Sequence, residues 1–288
     1  MAQTSISLIP QNGNNTILGI NCGTSVPKIG GFISLSAFPN LTDFSCVGND
    51  IEGIDGYVNN SNLRNINFGN NIVTGNILSL SGNTQLMEFK CDSNQLTGFI
   101  PPLNNNTQLV DFRCDNNNLG GIIPSLDTNS QLVNFLCNNN TLSGLFPNLQ
   151  NNAELSIFWC HNNQLTGPIS NLQNNAELSI FWCHNNQLTG PIPSLSGNTS
   201  LLFFWCYGNQ LNDFSGGTIS AFLGDFQAQN NQLSPSAINA ILAAFVAANK
   251  TTGIRVLNLG GSGNASPTGQ GITDKATLIS RGWTVTTN

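Results

Sequence analysis

Two histidines, eight cysteines and a thin scatter of carboxylates are the residues of this chain that could hold a metal or drive a reaction. His161 and His184 are the only histidines and stand 23 residues apart. They could share a metal only with a third ligand beside them, and no residue of suitable type stands nearby in their column. No C-x-x-C pair occurs among the cysteines, which argues against zinc. Glu88 and Asp111 could be drawn as the paired carboxylates of a glycosidase, but on a flat, open sheet they lack a cleft. Acyl transfer needs a nucleophile with a positioned base. The stretch "LGGSGN" at 259–264 comes nearest to a G-x-S-x-G elbow and fails its spacing. No G-x-x-x-x-G-K phosphate loop is present. The sequence therefore predicts no catalytic residues, no metal and no cofactor, and a protein that recognises rather than converts.

The elements that position these residues come from a repeat. The 22 residues "NLQNNAELSIFWCHNNQLTGPI" occur at 148–169 and again, unchanged, at 171–192. Cys91, Cys114, Cys137, Cys160, Cys183 and Cys206 are spaced by 23 residues, with Cys46 and Phe68 before them and Ala228 after in the same register. A fixed period of 20–29 residues marks a solenoid, in which each unit buries its apolar face on its neighbours.

Composition bounds the partners. Only 8% of the 288 residues are charged, against roughly 25% in ordinary soluble domains. A net charge of −6 and a pI near 4.6 exclude nucleic acid, which needs a clustered basic footprint. The start "MAQTSISLIPQNGNNT" has no basic region and no apolar run suited to a signal peptide, and no stretch is apolar enough for membrane insertion. The expectation is a soluble chain.

The unit reads L-x-x-F-x-C-x-x-N-x-L-x-G-x-I-P-x-L-x-x-N-x-x, as in "LVDFRCDNNNLGGIIP". It resembles the leucine-rich-repeat family, whose L-x-x-L-x-L-x-x-N-x-L signature is met with Phe and Cys in two leucine positions. "LTGPIP" is similar to the plant-type variant. The resemblance covers roughly 36–233. It implies a right-handed leucine-rich-repeat solenoid with a parallel β-sheet on its concave face. It also implies scaffold roles for Asn49, Asn71, Asn94, Asn117, Asn140, Asn163, Asn186, Asn209 and Asn231, whose carboxamides would satisfy buried backbone groups. Residues 1–35, with "TSISLIP" and "TILGINCG", read as a β-rich N-terminal cap. Residues 234–288 read as an α/β C-terminal cap, with a helix over "SPSAINAILAAFVAANK", a strand at "IRVLNLGG", a second helix at "TDKATLISRG" and a closing strand at "WTVTT".

Side chains alternate along a strand, so the Phe and Cys positions point inward and their neighbours outward. Inward lie Phe44, Phe89, Phe112, Phe135, Phe158, Phe181, Phe204 and Phe226, with Ile66 as the exception. The buried cysteines are expected to be reduced core residues, since a free buried Cys behaves as a small hydrophobe.

The outward residues form two zones. One is charged: Glu88, Lys90 and Asp92 beside Asp111, Arg113 and Asp115, a secondary polar contact zone. The other is aromatic: Trp159, Trp182 and Trp205, flanked by Ile157, Ile180, Phe203, His161, His184 and Tyr207. Flat rings about 4.8 Å apart suit the apolar faces of sugar rings, or equally a partner subunit. An exposed row of this kind is not expected to be needed for stability. The segment 257–288 is similar to endings of bacteriophage and bacterial leucine-rich-repeat proteins, some tail-fibre or adhesin-like. Together these readings predict a non-catalytic module at a virion surface or otherwise extracellular. It would bind a host cell-surface polysaccharide or protein receptor through the aromatic row and contact other virion proteins. The alternative is a structural or protein-interaction repeat protein, such as a homo-oligomer, whose row is buried against a partner chain.

Overall fold

Each repeat places one three-residue strand at its x-F-x triplet, and the constant spacing brings like residues opposite one another. The computed structural model describes residues 17–23 and 27–288. They form two compact units that divide between Leu142 and Ser143. "TSISLIP" lies outside the described residues.

The first unit holds β1 (Gly19–Asn21), β2 (Gly30–Ser34), β3 (Asp43–Ser45), β4 (Asp50–Asp55), β5 (Asn65–Asn67), β6 (Thr74–Asn76), β7 (Glu88–Lys90), β8 (Gln95–Thr97), β9 (Asp111–Arg113) and β10 (Asn134–Leu136). Strands β1, β3, β5, β7, β9 and β10 pair in that order, all parallel. Two small parallel pairs, β2–β4 and β6–β8, lie elsewhere on the coils. Ile20 stands opposite Phe44, so Cys22 follows into the Cys46 position. The expected N-terminal cap thus contains a strand of the main ladder, which its glycine-rich "LGINCG" does not announce.

The second unit holds β11 (Ser143–Leu145), β12 (Ile157–Trp159), β13 (Gln164–Pro168), β14 (Ile180–Trp182), β15 (Gln187–Ile192), β16 (Phe203–Trp205), β17 (Gln210–Phe214), β18 (Asp225–Gln227), α1 (Pro235–Ala248), β19 (Val256–Asn258), α2 (Gln270–Ser280) and β20 (Thr284–Thr286). Its main parallel sheet runs β12, β14, β16, β18, β19, β20. A second parallel sheet runs β11, β13, β15, β17. Ser234 caps α1 by accepting a hydrogen bond from the Ala237 N–H at 3.2 Å, and Ile238, Ile241, Leu242 and Phe245 of its inner face are buried. Trp283 is buried and meets Phe245 edge-on, centroids 5.1 Å apart.

The core is the inward Phe and Cys ladder. The eight phenylalanines of this ladder and Ile66 are buried, and so are seven of the eight cysteines, Cys22 being half-buried. Phe89, Phe112 and Phe135 stack at 5.5 and 5.3 Å; Phe181, Phe204 and Phe226 stack at 5.2 and 5.4 Å. Burial pushes the thiols up, Cys46 to about 12, so they remain protonated.

Backbone polarity is managed by two asparagine columns. The Asn186 Nδ2 donates to the carbonyls of Cys160 (3.0 Å), Cys183 (3.1 Å) and His184 (3.4 Å), and its Oδ1 accepts from the Leu165 N–H at 2.9 Å. Asn71, Asn94, Asn117, Asn209 and Asn231 repeat the scheme within their own units. Asn264 extends it: it accepts from Leu233 N–H at 3.0 Å and donates to Ala228 O at 2.9 Å. The "LGGSGN" stretch is therefore one more ladder turn. The second column, Asn60, Asn83, Asn106, Asn129, Asn152, Asn175 and Asn198, is fully buried. Asn175 donates to Leu149 O (2.9 Å) and Asn152 O (2.7 Å). This column stands in the repeat formula as its last Asn, without any signal that it is buried. Between Cys and the first Asn column the chain turns through a left-handed residue, Asn116, Asn139, Asn162 and Asn185 at φ 53–55°, a conformation asparagine tolerates.

Candidate functional site

In the second unit the identical segments stack identical side chains. β12, β14 and β16 align Ile157 with Ile180 and Phe203, and Trp159 with Trp182 and Trp205. The indole centroids are 4.4 and 4.5 Å apart, with planes inclined by 8° and 10°. Beside them His161, His184 and Tyr207 form a second stack at 4.3 Å per step. The two stacks touch obliquely, as between His161 and Trp182 at 5.6 Å.

This geometry corrects two expectations. Rings stacked face to face cover one another's faces, so the row presents ring edges rather than the open platforms a sugar ring would lie on. The indole Nε1 atoms of all three tryptophans are buried and without a hydrogen-bond partner, so the half-buried rings turn carbon edges outward. The histidines, placed among the exposed residues by strand alternation, are only 8% and 5% exposed. Burial holds the His161 imidazole down at about 4; burial and then His161 hold His184 at about 3. Both are neutral packing residues at neutral pH.

Phe203 connects the row to a cavity of about 140 Å³ lined also by Leu202, Phe222, Gly224, Lys250 and Ile254. Phe222 and Ile254 are 64% and 52% exposed. The repeat alignment misses this pocket because its walls come from turns and from the segment after α1. The one sequence signal is the pair of apolar residues Leu202 and Phe222 at positions where the second duplicated coil carries Ser179 and Glu177.

In the first unit the charged zone folds in on itself. Lys90 bridges Glu88 at 2.7 Å and Asp111 at 3.1 Å, and Arg113 grips Asp111 with two hydrogen bonds of 2.9 Å. Asp111 is buried beneath this clamp. Asp92 and Asp115 stand one after the other in the next column. Burial, with repulsion from Asp92, raises the Asp115 carboxyl to about 6; burial also raises Asp92. Among the described residues no group of three or more His, Cys, Asp or Glu is placed to hold a metal. No described helix is long and apolar enough to cross a membrane.

No family model matches the chain, and no curated protein sequence does. Solved structures do. A TDR receptor superposes with a TM-score of 0.72 at 26% identity, over 81% of this chain and 41% of its own. The fold is a leucine-rich-repeat solenoid. The plant peptide hormone receptor RGFR1, solved in complex with RGF2, matches at TM-score 0.70 and 22% identity, over 87% of this chain and 44% of its own. A leucine-rich-repeat protein of Leptospira interrogans matches at 0.57 and 15%, over 88% and 68%. The chain spans about two-fifths of the length of the two receptors.

Proposed function

We propose that the chain binds a polypeptide partner along the outward apolar face of its second unit. The observation that carries this reading is the continuity of Ile157, Ile180 and Phe203 with the cavity under Phe222 and Ile254. A row of ring edges ending in a small apolar pocket suits an extended segment that seats one apolar side chain, because buried aromatic anchors carry most of the energy in such contacts. The likeness to a peptide hormone receptor solved with its ligand supports a polypeptide over a polysaccharide. The mutual covering of the indole faces does so too. An extracellular setting belongs to the same proposal. The virion-surface and glycan readings draw no support from these observations and are set aside.

The test is selection of a phage-displayed random dodecapeptide library on the purified protein, followed by binding of the selected peptides to a Phe222→Asp variant. Phe222 is exposed, so the variant should fold. A consensus with one apolar anchor, lost on Phe222→Asp, supports the proposal. Failure to select any peptide, or binding indifferent to the substitution, overturns it. A homodimer in sedimentation that Phe222→Asp dissolves would assign the face to a second copy instead.

A further inference from the structure

The described residues include all eight lysines and arginines of a chain whose net charge is −6. Seven of them are committed internally. Lys28 pairs with Asp50 at 3.2 Å, and Lys90 and Arg113 close on Asp111. Lys250 donates to the carbonyls of Ala221 and Phe222, Arg255 to those of Thr251 and Arg281, and Arg281 to that of Val246. Lys275 donates to the Thr287 hydroxyl at 2.8 Å. Arg64 alone, among the described residues, has neither a side-chain hydrogen bond nor an ion pair.

Arg64 also lines a groove of about 650 Å³ in the first unit, with Leu18, Asn40, Asn62, Thr84 and Gln85 among its walls. The groove follows the turns that lead into β3, β5 and β7. Asp43, whose charge interacts with that of Arg64, forms no ion pair with the guanidinium. Hydrogen bonds from Thr42 and Asn65 hold Asp43 below the usual carboxylate range, and Arg64 contributes least to that lowering. A planar fork of donors facing a polar groove is suited to a carboxylate or sulfate. The amides and hydroxyl around it offer both donors and acceptors, which match a hydroxyl-rich body, and Leu18 adds one apolar edge. The volume lies within the range of small-ligand sites.

We infer that this groove binds an acidic saccharide, with Arg64 holding its carboxylate or sulfate and the neutral side chains holding its hydroxyls. The site lies in the first unit and is independent of the polypeptide face of the second.

The experiment is calorimetric titration of the whole protein with three probes: trigalacturonate, a sulfated disaccharide, and the neutral galactose trimer. Arg64→Gln is titrated in parallel, and circular dichroism should show it folded, since Arg64 holds no other residue in place. The expected result is binding of at least one acidic probe, at least about tenfold weaker for Arg64→Gln and weakened by salt, with no binding of the neutral trimer. Trigalacturonate alone would mark the carboxylate as the recognised group, and the sulfated disaccharide alone the sulfate. Inorganic sulfate or citrate binding as tightly as the saccharides would overturn the assignment by reducing the groove to a simple anion contact. No binding, or binding unchanged in Arg64→Gln, would overturn it as well.

Discussion

Trp182 lies between Trp159 and Trp205 with its two faces covered by theirs, at 4.4 and 4.5 Å. It is thus a structural member of the fold as well as part of a surface, contrary to the expectation that the row is dispensable for stability. Stacked aromatic pairs contribute about 0.5–1.5 kcal/mol each, so Trp182→Ala should cost roughly 1–3 kcal/mol through the two lost partners, before any cavity cost. Equilibrium urea unfolding checks it. Circular dichroism offers a second readout: the exciton signal of the coupled indoles should vanish in Trp182→Phe but survive in part in Trp205→Phe. An unchanged spectrum in Trp182→Phe would mean the rings are not stacked in solution.

The two neutral histidines make stability depend on acid. Their folded pKa values lie below the unfolded value near 6.5, so between about pH 6.5 and 4 the unfolded chain binds protons that the folded one refuses. Stability should therefore fall as pH drops through that window. A tenfold difference in proton affinity between the folded and unfolded chain is worth about 1.4 kcal/mol, so the loss should reach a few kcal/mol. A His161→Phe/His184→Phe double variant should unfold with a much flatter pH dependence there. Equal slopes for the two proteins would refute the assignment.

Asp115 acts with the opposite sign. Its carboxyl is raised to about 6 in the folded state, so its ionisation opposes folding as pH rises from about 4 to 6. Asp115→Asn should stabilise the protein at pH 7 by about 1–2 kcal/mol once solvent screening of this half-buried group is allowed for, and leave it nearly unchanged at pH 4. Paired thermal melts at the two pH values decide the point.

The asparagine column should be intolerant of truncation. Asn186→Ala leaves the buried Leu165 N–H without its acceptor, while the carbonyls of Cys160, Cys183 and His184 lose one donor each and keep the Asn163 amide, the Asn209 amide and the Asn162 N–H. At about 1–3 kcal/mol for a buried group left unsatisfied, the loss should be about 1–3 kcal/mol by urea unfolding. A loss below about 1 kcal/mol would show that the backbone finds other partners.

The cysteines should divide by burial. In native protein, dithiobis-nitrobenzoate should titrate Cys22 alone, while the seven buried thiols react only after unfolding. Fast native reaction of two or more thiols would contradict the packing of the ladder.

Much of the fold was legible because period and alternation are strong signals. The 23-residue spacing placed the strands, and the Phe and Cys columns announced the core. Ser234, Ile238 and Gly282 marked the terminal helices. Less legible was whatever depends on a third dimension between coils. Strand alternation puts His161 on the outward side, yet it cannot show that ring-on-ring stacking buries it. Nor could it show that the indoles would spend their faces on one another. Arg64 and Phe222 lie in the connections that lead into β5 and β18, outside the periodic positions, so the repeat pattern by itself drew no attention to them. The same holds for Asn175, whose burial follows only from the close approach of consecutive coils.

The asparagine bonds also define how the second unit can change length. Through Asn175, Asn186, Asn198 and Asn209 the hydrogen bonds between coils join residues 21, 23 and 26 apart, the same offsets from one of these turns to the next. Residues 171–193 could be excised, or copied once more, and each amide would still meet a carbonyl at its accustomed offset. An identical tandem tract is also the substrate for unequal recombination. A change of copy number would expand or contract the breadth of the aromatic face by whole notches without a frustrated intermediate.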